Sequence, residues 1–480
     1  MSWRLFASTT GAALACAAAL VPAVPSRAET DAEADSRAHD LFKELIEINT
    51  TDSVGSVTAA AEAMAARLRE AGFPAEDIQI LGPNDRKKNV VARLHGTGRH
   101  KPVLLIGHLD VVEARREDWT TDPFKFVEKD GYFYGRGTQD MKSGDAIMMA
   151  TMIRFRKEGF KPSRDIVMAL TADEESGSSN GVDWLLKNHR DLVDAEFVIN
   201  LDGSSVITDH GKPLYFEMDA TEKVYGDYLL TATNPGGHSS LPVSDNAIYR
   251  ISAALERLSQ YEFPVELNSI TRGYYEQMST IETGERAADI KAILQTPPDP
   301  QAVQRLSRDP IDHSVMRTTC VATRIEGGHA NNALPQRARA TVNCRILPGH
   351  SPEEVRQTLI QVFADPHIKV QYIDDVGEVR DVASDRRGYA PPPLNPLVMQ
   401  PLGKVVAQMW PGLKVVPAMS TGASDSIYTN GSGMPTYCIA GIAIDKDNIR
   451  AHGQDENLGA ESFYRGNQFF YRYMKALTSH

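Results

Sequence analysis

The sequence predicts an α/β protein, a mixed sheet covered by helices, interrupted by an inserted α+β domain. Three observations lead there. Strand-like and helix-like segments alternate through residue 203. Several of the strands are near-continuous apolar runs, as expected where both faces are buried. Near residue 220 the pattern changes, and α/β character resumes only near residue 397. At 480 residues the chain is too long for one ordinary core, which fits two folded units.

In chain order, SRAHDLFKELIEINT and VTAAAEAMAARLREAGF read as helices. NVVARLHG and KPVLLIGHLDVV read as strands, and EKDGYFYGRG as a hairpin turning on Asp130-Gly131. SGDAIMMATMIRFRKEG is a helix, DIVMALTADEE a strand, GVDWLLKNHRDL a helix and AEFVINLDG a strand. Then follow the strand of YGDYLLTATNPGGHSS, the helix NAIYRISAALERLSQ and a long stretch to residue 312 that reads as irregular. TTCVATRI and RATVNCRI are paired β-runs, SPEEVRQTLIQVFAD is a helix, and the Pro-rich RDVASDRRGYAPPPLNP reads as a return linker. The helix LVMQPLGKVVAQMW, the strands LKVVPAMSTGA and PTYCIAGI and a terminal helix close the chain. The expected division is residues 29–215 and 388–480 for the main domain and 216–387 for the insert.

The N-terminus differs in kind. Arg4 precedes an apolar, small-residue stretch to Val24, and Ser26-Arg27-Ala28 fits a small-x-small cleavage site. Residues 1–28 read as a cleaved export signal, which places the mature protein in the periplasm or outside the cell. The stretch is too short and too rich in small residues for a membrane anchor, and the residues before Cys16 fit a lipid-attachment signal poorly. Composition is that of a globular protein, 42% hydrophobic and 24% charged, and the formal charge of -12 argues against a nucleic-acid partner. Export permits disulfides. Folding the two β-runs back antiparallel sets Cys320 opposite Cys344, which suits a cross-strand disulfide or two free thiols equally.

Polar residues gather at the ends of the expected strands and in the loops beside them: His108, Asp110, Asp140, Glu174, Glu175, Asp202 and His452. Ligand sites of open α/β sheets lie at the carboxyl ends of the strands. Histidines and carboxylates converging there are the donor set of a hydrolytic zinc site. His108 and Asp110 share one strand face, so Asp110 is expected to accept a hydrogen bond from the imidazole. Taken singly, each residue has an ordinary reading: a polar contact for the His-Asp pair, a helix cap for Asp140, a surface loop for His452. Together, each at the point where its strand or loop surfaces, they form one donor set. In TADEESG, neighbouring side chains at a strand end point apart, so one glutamate is free to face a metal and the other the substrate.

GHLDVV, DGYFYGRGTQDMKSG, TADEESG, NLDG and a late histidine, in that order, resemble the M20 metallopeptidase family over nearly the whole mature chain. The resemblance implies a zinc-exopeptidase-type catalytic domain with an inserted lid that usually dimerises. It implies two zinc ions, with cobalt or manganese as substitutes, bridged by Asp140. One would be completed by His108 and Asp202, the other by Glu175 and His452. Glu174 would be the general base, and Asp140-Met141 a cis peptide. His238 would stabilise the oxyanion across a homodimer. Arg345 and Asn332 would grip a substrate carboxylate, and Gly422, Ser424 and Asp425 would form a substrate-facing loop. Asp173 has no implied role and reads as supporting or solvated. The expected activity is an exopeptidase, of carboxypeptidase or dipeptidase type, cleaving an amide next to a free carboxylate. An N-acyl-amino-acid deacylase is the alternative, and a non-catalytic relative is disfavoured by the complete ligand set.

Overall fold

The structure, a computed structural model, describes residues 29–479 apart from 178, 204, 205, 375 and 385–388. The expected signal at 1–28 and the expected boundary at 387/388 lie outside the described residues. A ten-stranded mixed sheet forms the larger core. At its centre the strand His100–His108 lies parallel to Arg164–Thr171 on one side and to Phe197–Asn200 on the other. Thr436–Cys438 continues the parallel set beside Phe197–Asn200.

The apolar run of His100–His108 is buried on both faces, as its sequence requires. Val103 and Leu105 join a core shared with the helices Asp31–Glu47, Lys142–Glu158 and Ala460–Leu477. Leu104 and Ile106 point the other way, into a cluster with Val167, Leu185 and Met434. The period of two thus supplies two cores from one strand. The hairpin forms as read, Val127–Lys129 against Tyr132–Tyr134, with Asp130 and Gly131 at φ 53° and 81°.

The insert has its own core. A five-stranded antiparallel sheet carries Val224–Thr233 between Arg337–Ile346 and Ile368–Ile373, with Thr319–Gly327 at one edge. The helices Ala247–Ser259 and Pro352–Phe363 cover one face, and their apolar residues pack with those of the strands. Asn246 and Ser351 cap these helices, Ser351 in a capping box with Glu354. Cys320 pairs with Cys344 in register and the two form a disulfide.

Two expectations are corrected. The stretch to residue 312 is not irregular: it contains Ser269–Met278, Gly284–Ile293, Pro300–Leu306 and Pro310–Val315. Their apolar residues pack with Val416, Ala418 and Met419 of the strand Val415–Ser420. Short helices capped by Asn268, Asp299 and Asp309 resemble loop sequence because caps and prolines interrupt the apolar period. The large sheet also keeps the chain past residue 215, since Phe216–Glu222 of the strand Lys212–Glu222 pairs with Val415–Ser420.

Candidate metal centre and active site

Three adjacent parallel strands bring the first ligand candidates to one edge. His108 ends its strand opposite Thr171, so the segment after Thr171 delivers Glu174 and Glu175 beside it. Ile106 lies opposite Asn200, which places Asp202 on the other side. Gly107 sits in tight quarters just before His108: a Cβ there would come within 2.5 Å of the Asp145 carboxylate and 2.7 Å of the Met141 methyl, and both side chains would have to shift.

Asp140 joins the two halves of the cluster. Its Oδ1 lies 3.0 Å from Nε2 of His108, and its Oδ2 lies 3.0 Å from Nε2 of His452. His452 Nε2 is also 3.0 Å from Oε1 of Glu175. Donor atoms of His108, Asp140 and Asp202 lie within 4.8 Å of one another, and so do those of Asp140, Glu175 and His452. Two three-residue groups that share one carboxylate are what a pair of bridged ions needs. The peptide between Asp140 and Met141 is cis.

The electrostatics fit divalent cations. Burial pushes Asp202 up to about 7, with Asp140 adding to the rise. Burial also raises Glu174 well above the usual carboxylate range; His108 opposes this, while Asp202, Asp425 and Glu175 reinforce it. Hydrogen bonds to Asp140 and Glu175 raise His452 to about 10. Protonated imidazole is therefore the counter-charge this cluster draws on, and metal ions compete for the same nitrogens and oxygens. Hard carboxylate oxygens with imidazole nitrogens suit zinc, and manganese or cobalt as well.

Asp110 acts differently from expectation. The His108 Nδ1 atom sits 3.0 Å from the backbone carbonyl of Asp110, with the carboxylate 3.8 Å away. That carboxylate instead accepts the backbone N–H groups of Glu174 and Glu175, at 3.2 and 3.0 Å. Asp110 thus fixes the imidazole through its main chain and the glutamate turn through its side chain. Asp173 is buried rather than solvated, accepting from Lys87 Nζ at 2.5 Å and Ser176 Oγ at 2.7 Å. Its φ of 65° places it at the bend that separates Glu174 and Glu175 from the strand.

Glu456 is the residue sequence reasoning missed. It is fully buried and accepts from Arg136 Nη1 at 2.7 Å and from the N–H groups of Gly137, Gln139 and Asp140, at 3.1, 2.7 and 3.1 Å. Arg136 also donates to the carbonyl of His452, and the Gln139 side chain bonds Asn448, Arg450, Ala451 and Asn457. This network fixes the Asp140 loop against the His452 loop. In the sequence Glu456 is one acid in HGQDEN, with no signal that it is buried.

The expected substrate residues fall into separate groups. His238 and Asn332 lie together on the small ribbon of Gly237–His238 and Ala333–Leu334, where the Ser239 N–H donates to the Asn332 carbonyl. His238 is exposed, and its Nδ1 lies 2.7 Å from Ser240 Oγ. Arg345 lies opposite Tyr225 in the insert's sheet, its guanidinium 4.8 Å from the ring centre. The Gly422 N–H donates to Ser420, and Ser424 donates to Glu222 at 2.7 Å. Asp425 is buried and accepts from Thr171 and Asn180, so it braces the Glu174 strand end rather than facing solvent.

Fold and site together define a metal-dependent hydrolase with an inserted α+β unit. The chain belongs to peptidase family M20/M25/M40, which matches residues 104–476. It is 27% identical over 380 residues to the human N-fatty-acyl-amino acid synthase/hydrolase PM20D1, covering 77% of this chain and 73% of that one. It is 26% identical to a probable carboxypeptidase S-like 2 of Dictyostelium discoideum, over 78% and 71% of the two chains. Among solved structures, the M20 metallo-carboxypeptidase Sso-CP2 of Sulfolobus solfataricus superposes with a TM-score of 0.68 at 16% identity. That match covers 92% of this chain and 99% of the other. The dipeptidase Dug1p of Saccharomyces cerevisiae gives 0.66 at 18% identity, over 94% and 99%.

Proposed function

We propose that this is an exported di-zinc exopeptidase of carboxypeptidase or dipeptidase type, hydrolysing an amide next to a free carboxylate. The observation that carries this reading is the pair of donor groups sharing Asp140, with Glu174 beside them. When bound, two such ions lower the pKa of a shared water and polarise the scissile carbonyl. The chain's own residues do the rest. Asp110 holds the Glu174 backbone in place. Burial gives Glu174 a raised proton affinity, suited to taking the proton of the attacking water and delivering it to the leaving nitrogen. Arg345 offers a planar fork for the substrate carboxylate. Metal analysis together with turnover of a dipeptide panel tests the reading; a metal-replete protein inert toward the panel and toward N-acyl amino acids would refute it.

A second reading, an N-acyl-amino-acid deacylase, is favoured by the likeness to the human N-fatty-acyl-amino acid synthase/hydrolase PM20D1. Both reactions present a carboxylate to Arg345, and the ratio of rates on N-acetyl amino acids and dipeptides separates them. Two further proposals accompany either reading. The first is export: the Cys320–Cys344 disulfide suits an oxidising compartment, and the N-terminal mass of the purified protein tests cleavage after Ala28. Among the described residues no helix is long and apolar enough to cross a membrane. The second is a homodimer through the insert. Its edge strand Thr319–Gly327 leaves Val321 and Ile325 exposed, as Tyr249 is on the helix Ala247–Ser259. A partner would bring His238 to a site it does not reach within its own chain's hydrogen bonds, and light scattering tests the assembly.

A further inference from the structure

A cavity of about 270 Å³ opens beside Glu174, between the main sheet and the insert. Tyr225 and Tyr372 line it from two strands of the insert. Tyr389 and Tyr428 line it from the other side, with Ile427 between the helix Ser426–Gly431 and the cavity. Gly431 makes room for this wall, since a Cβ there would come within 1.9 Å of the Tyr389 hydroxyl. Among the described residues, no lysine or arginine lines it. Asp425, the other acid of the lining, is taken up by Asn180 and Thr171.

The cavity is large enough to hold an aromatic ring with substituents, since a pocket of about 150 Å³ already holds benzene. Ring walls favour a ring occupant through edge-to-face and offset packing. The position of Arg345 decides which part of a substrate enters. Its guanidinium lies over Tyr225, one wall of the cavity. A carboxylate held at that guanidinium leaves the substituent on the adjoining carbon at the Tyr225 wall. The scissile amide, on the same carbon, is left toward Glu174.

We infer that this cavity selects an aromatic residue (phenylalanine, tyrosine or tryptophan) on the carboxylate side of the cleaved amide. The inference rests on the proposed amide hydrolysis at this centre. A small side chain leaves the ring walls wet, and burying a lysine ammonium among them costs its hydration.

The test uses the full mature protein, loaded with metal, on Gly-X dipeptides and N-acetyl-X, where X is Gly, Ala, Leu, Lys, Phe, Tyr or Trp. In whichever series is turned over, kcat/KM for Phe, Tyr and Trp exceeds that for Ala at least tenfold. Ile427→Trp fills the cavity and Tyr389→Ala removes a wall; each lowers the Phe/Ala ratio at least fivefold, and either variant suffices if the other fails to fold. Equal rates for Ala and Phe, a preference for Lys, or a ratio unmoved by both variants overturns the assignment. Calorimetric titration of Glu174→Gln with N-acetyl-phenylalanine and N-acetyl-alanine separates the two levels. Tenfold tighter binding of the aromatic compound without any turnover sinks amide hydrolysis alone. Turnover without aromatic ranking sinks the cavity assignment alone.

Discussion

Asp202 at the active centre and Glu353 in the insert are both carboxylates, yet burial pushes Asp202 up to about 7, whereas hydrogen bonds from Arg356 bring Glu353 down to about 2. The difference lies in the partner. Glu353 accepts two bonds from Arg356, each 2.7 Å, and the N–H of Ala383. Asp202 sits among Asp140, Glu175 and Asp425 instead, and the nearby opposite charge is an imidazole. The Glu353–Arg356 pair is neutralised within the insert. The centre is organised but not neutralised, so its carboxylates stay available to cations and to proton transfer.

Removing metal breaks this contrast most completely. Dialysis against a strong chelator abolishes activity, and zinc, cobalt or manganese restores it. The melting transition of the main domain falls as well, because a ligand present at about 1,000 times its Kd contributes about 4 kcal/mol. A chelated protein with full activity and an unchanged melt would show that the two donor groups hold no functional ion.

Glu174→Gln sharpens the contrast by leaving the donor groups intact. Loss of the proton carrier lowers kcat by about 10³-fold, within the range of general acid–base catalysis. Metal content stays at the wild-type value, read by elemental analysis of the purified variant. Loss of metal together with activity would instead make Glu174 a ligand.

Glu456→Gln moves the boundary between the two kinds of carboxylate, since loss of hydration raises Glu456 as it raises Asp202, while an arginine pairs it as one pairs Glu353. Its loss leaves Arg136 buried without its anion and costs about 3 kcal/mol of stability. The Asp140 and His452 loops then lose their common anchor, and metal affinity falls about 10-fold or more. Competition with a chromogenic chelator reads the affinity, and thermal melts read the stability. An unchanged affinity would leave Glu456 a purely structural residue.

Much of the centre was legible because its residues stand at strand ends. His108, Glu174, Glu175 and Asp202 follow apolar runs whose boundaries the sequence displays, and parallel pairing brings those ends together. Asp140 and His452 were legible through the family resemblance rather than through periodicity, since both lie in loops. What stayed hidden depends on burial and on main-chain direction. Nothing in HGQDEN marks Glu456 as interior, and the choice of His108 for the carbonyl of Asp110 rather than its carboxylate depends on the bend after the strand. The four helices between residues 269 and 315 were hidden because each is short and capped. Their stability comes from packing on Val415–Ser420, a contact more than a hundred residues distant in sequence.

The disulfide tests the insert without touching the centre. Cys320→Ser with Cys344→Ser opens a loop with a sequence separation of 24 residues, which by chain entropy costs about 3 kcal/mol. The insert's transition falls while kcat on a small dipeptide is retained. Matching loss of kcat in folded protein would mean that the insert's edge strand helps shape the active site.

Glu353→Gln gives the smallest effect and the clearest sign. Its folded pKa lies below its ordinary value of 4.5, so its contribution is fully present above that value and is lost as pH falls toward about 2. The pair is partly solvated, and screening limits its contribution to about 1 kcal/mol at pH 7. Wild type and variant therefore differ in denaturant midpoint at neutral pH and converge in acid. The centre responds in the opposite direction: without metal, protonating Asp202 relieves its repulsion with Asp140, and protons compete with metal for that carboxylate. Acid therefore removes activity before it removes the insert's stability, and a pH series following both on one sample measures the separation.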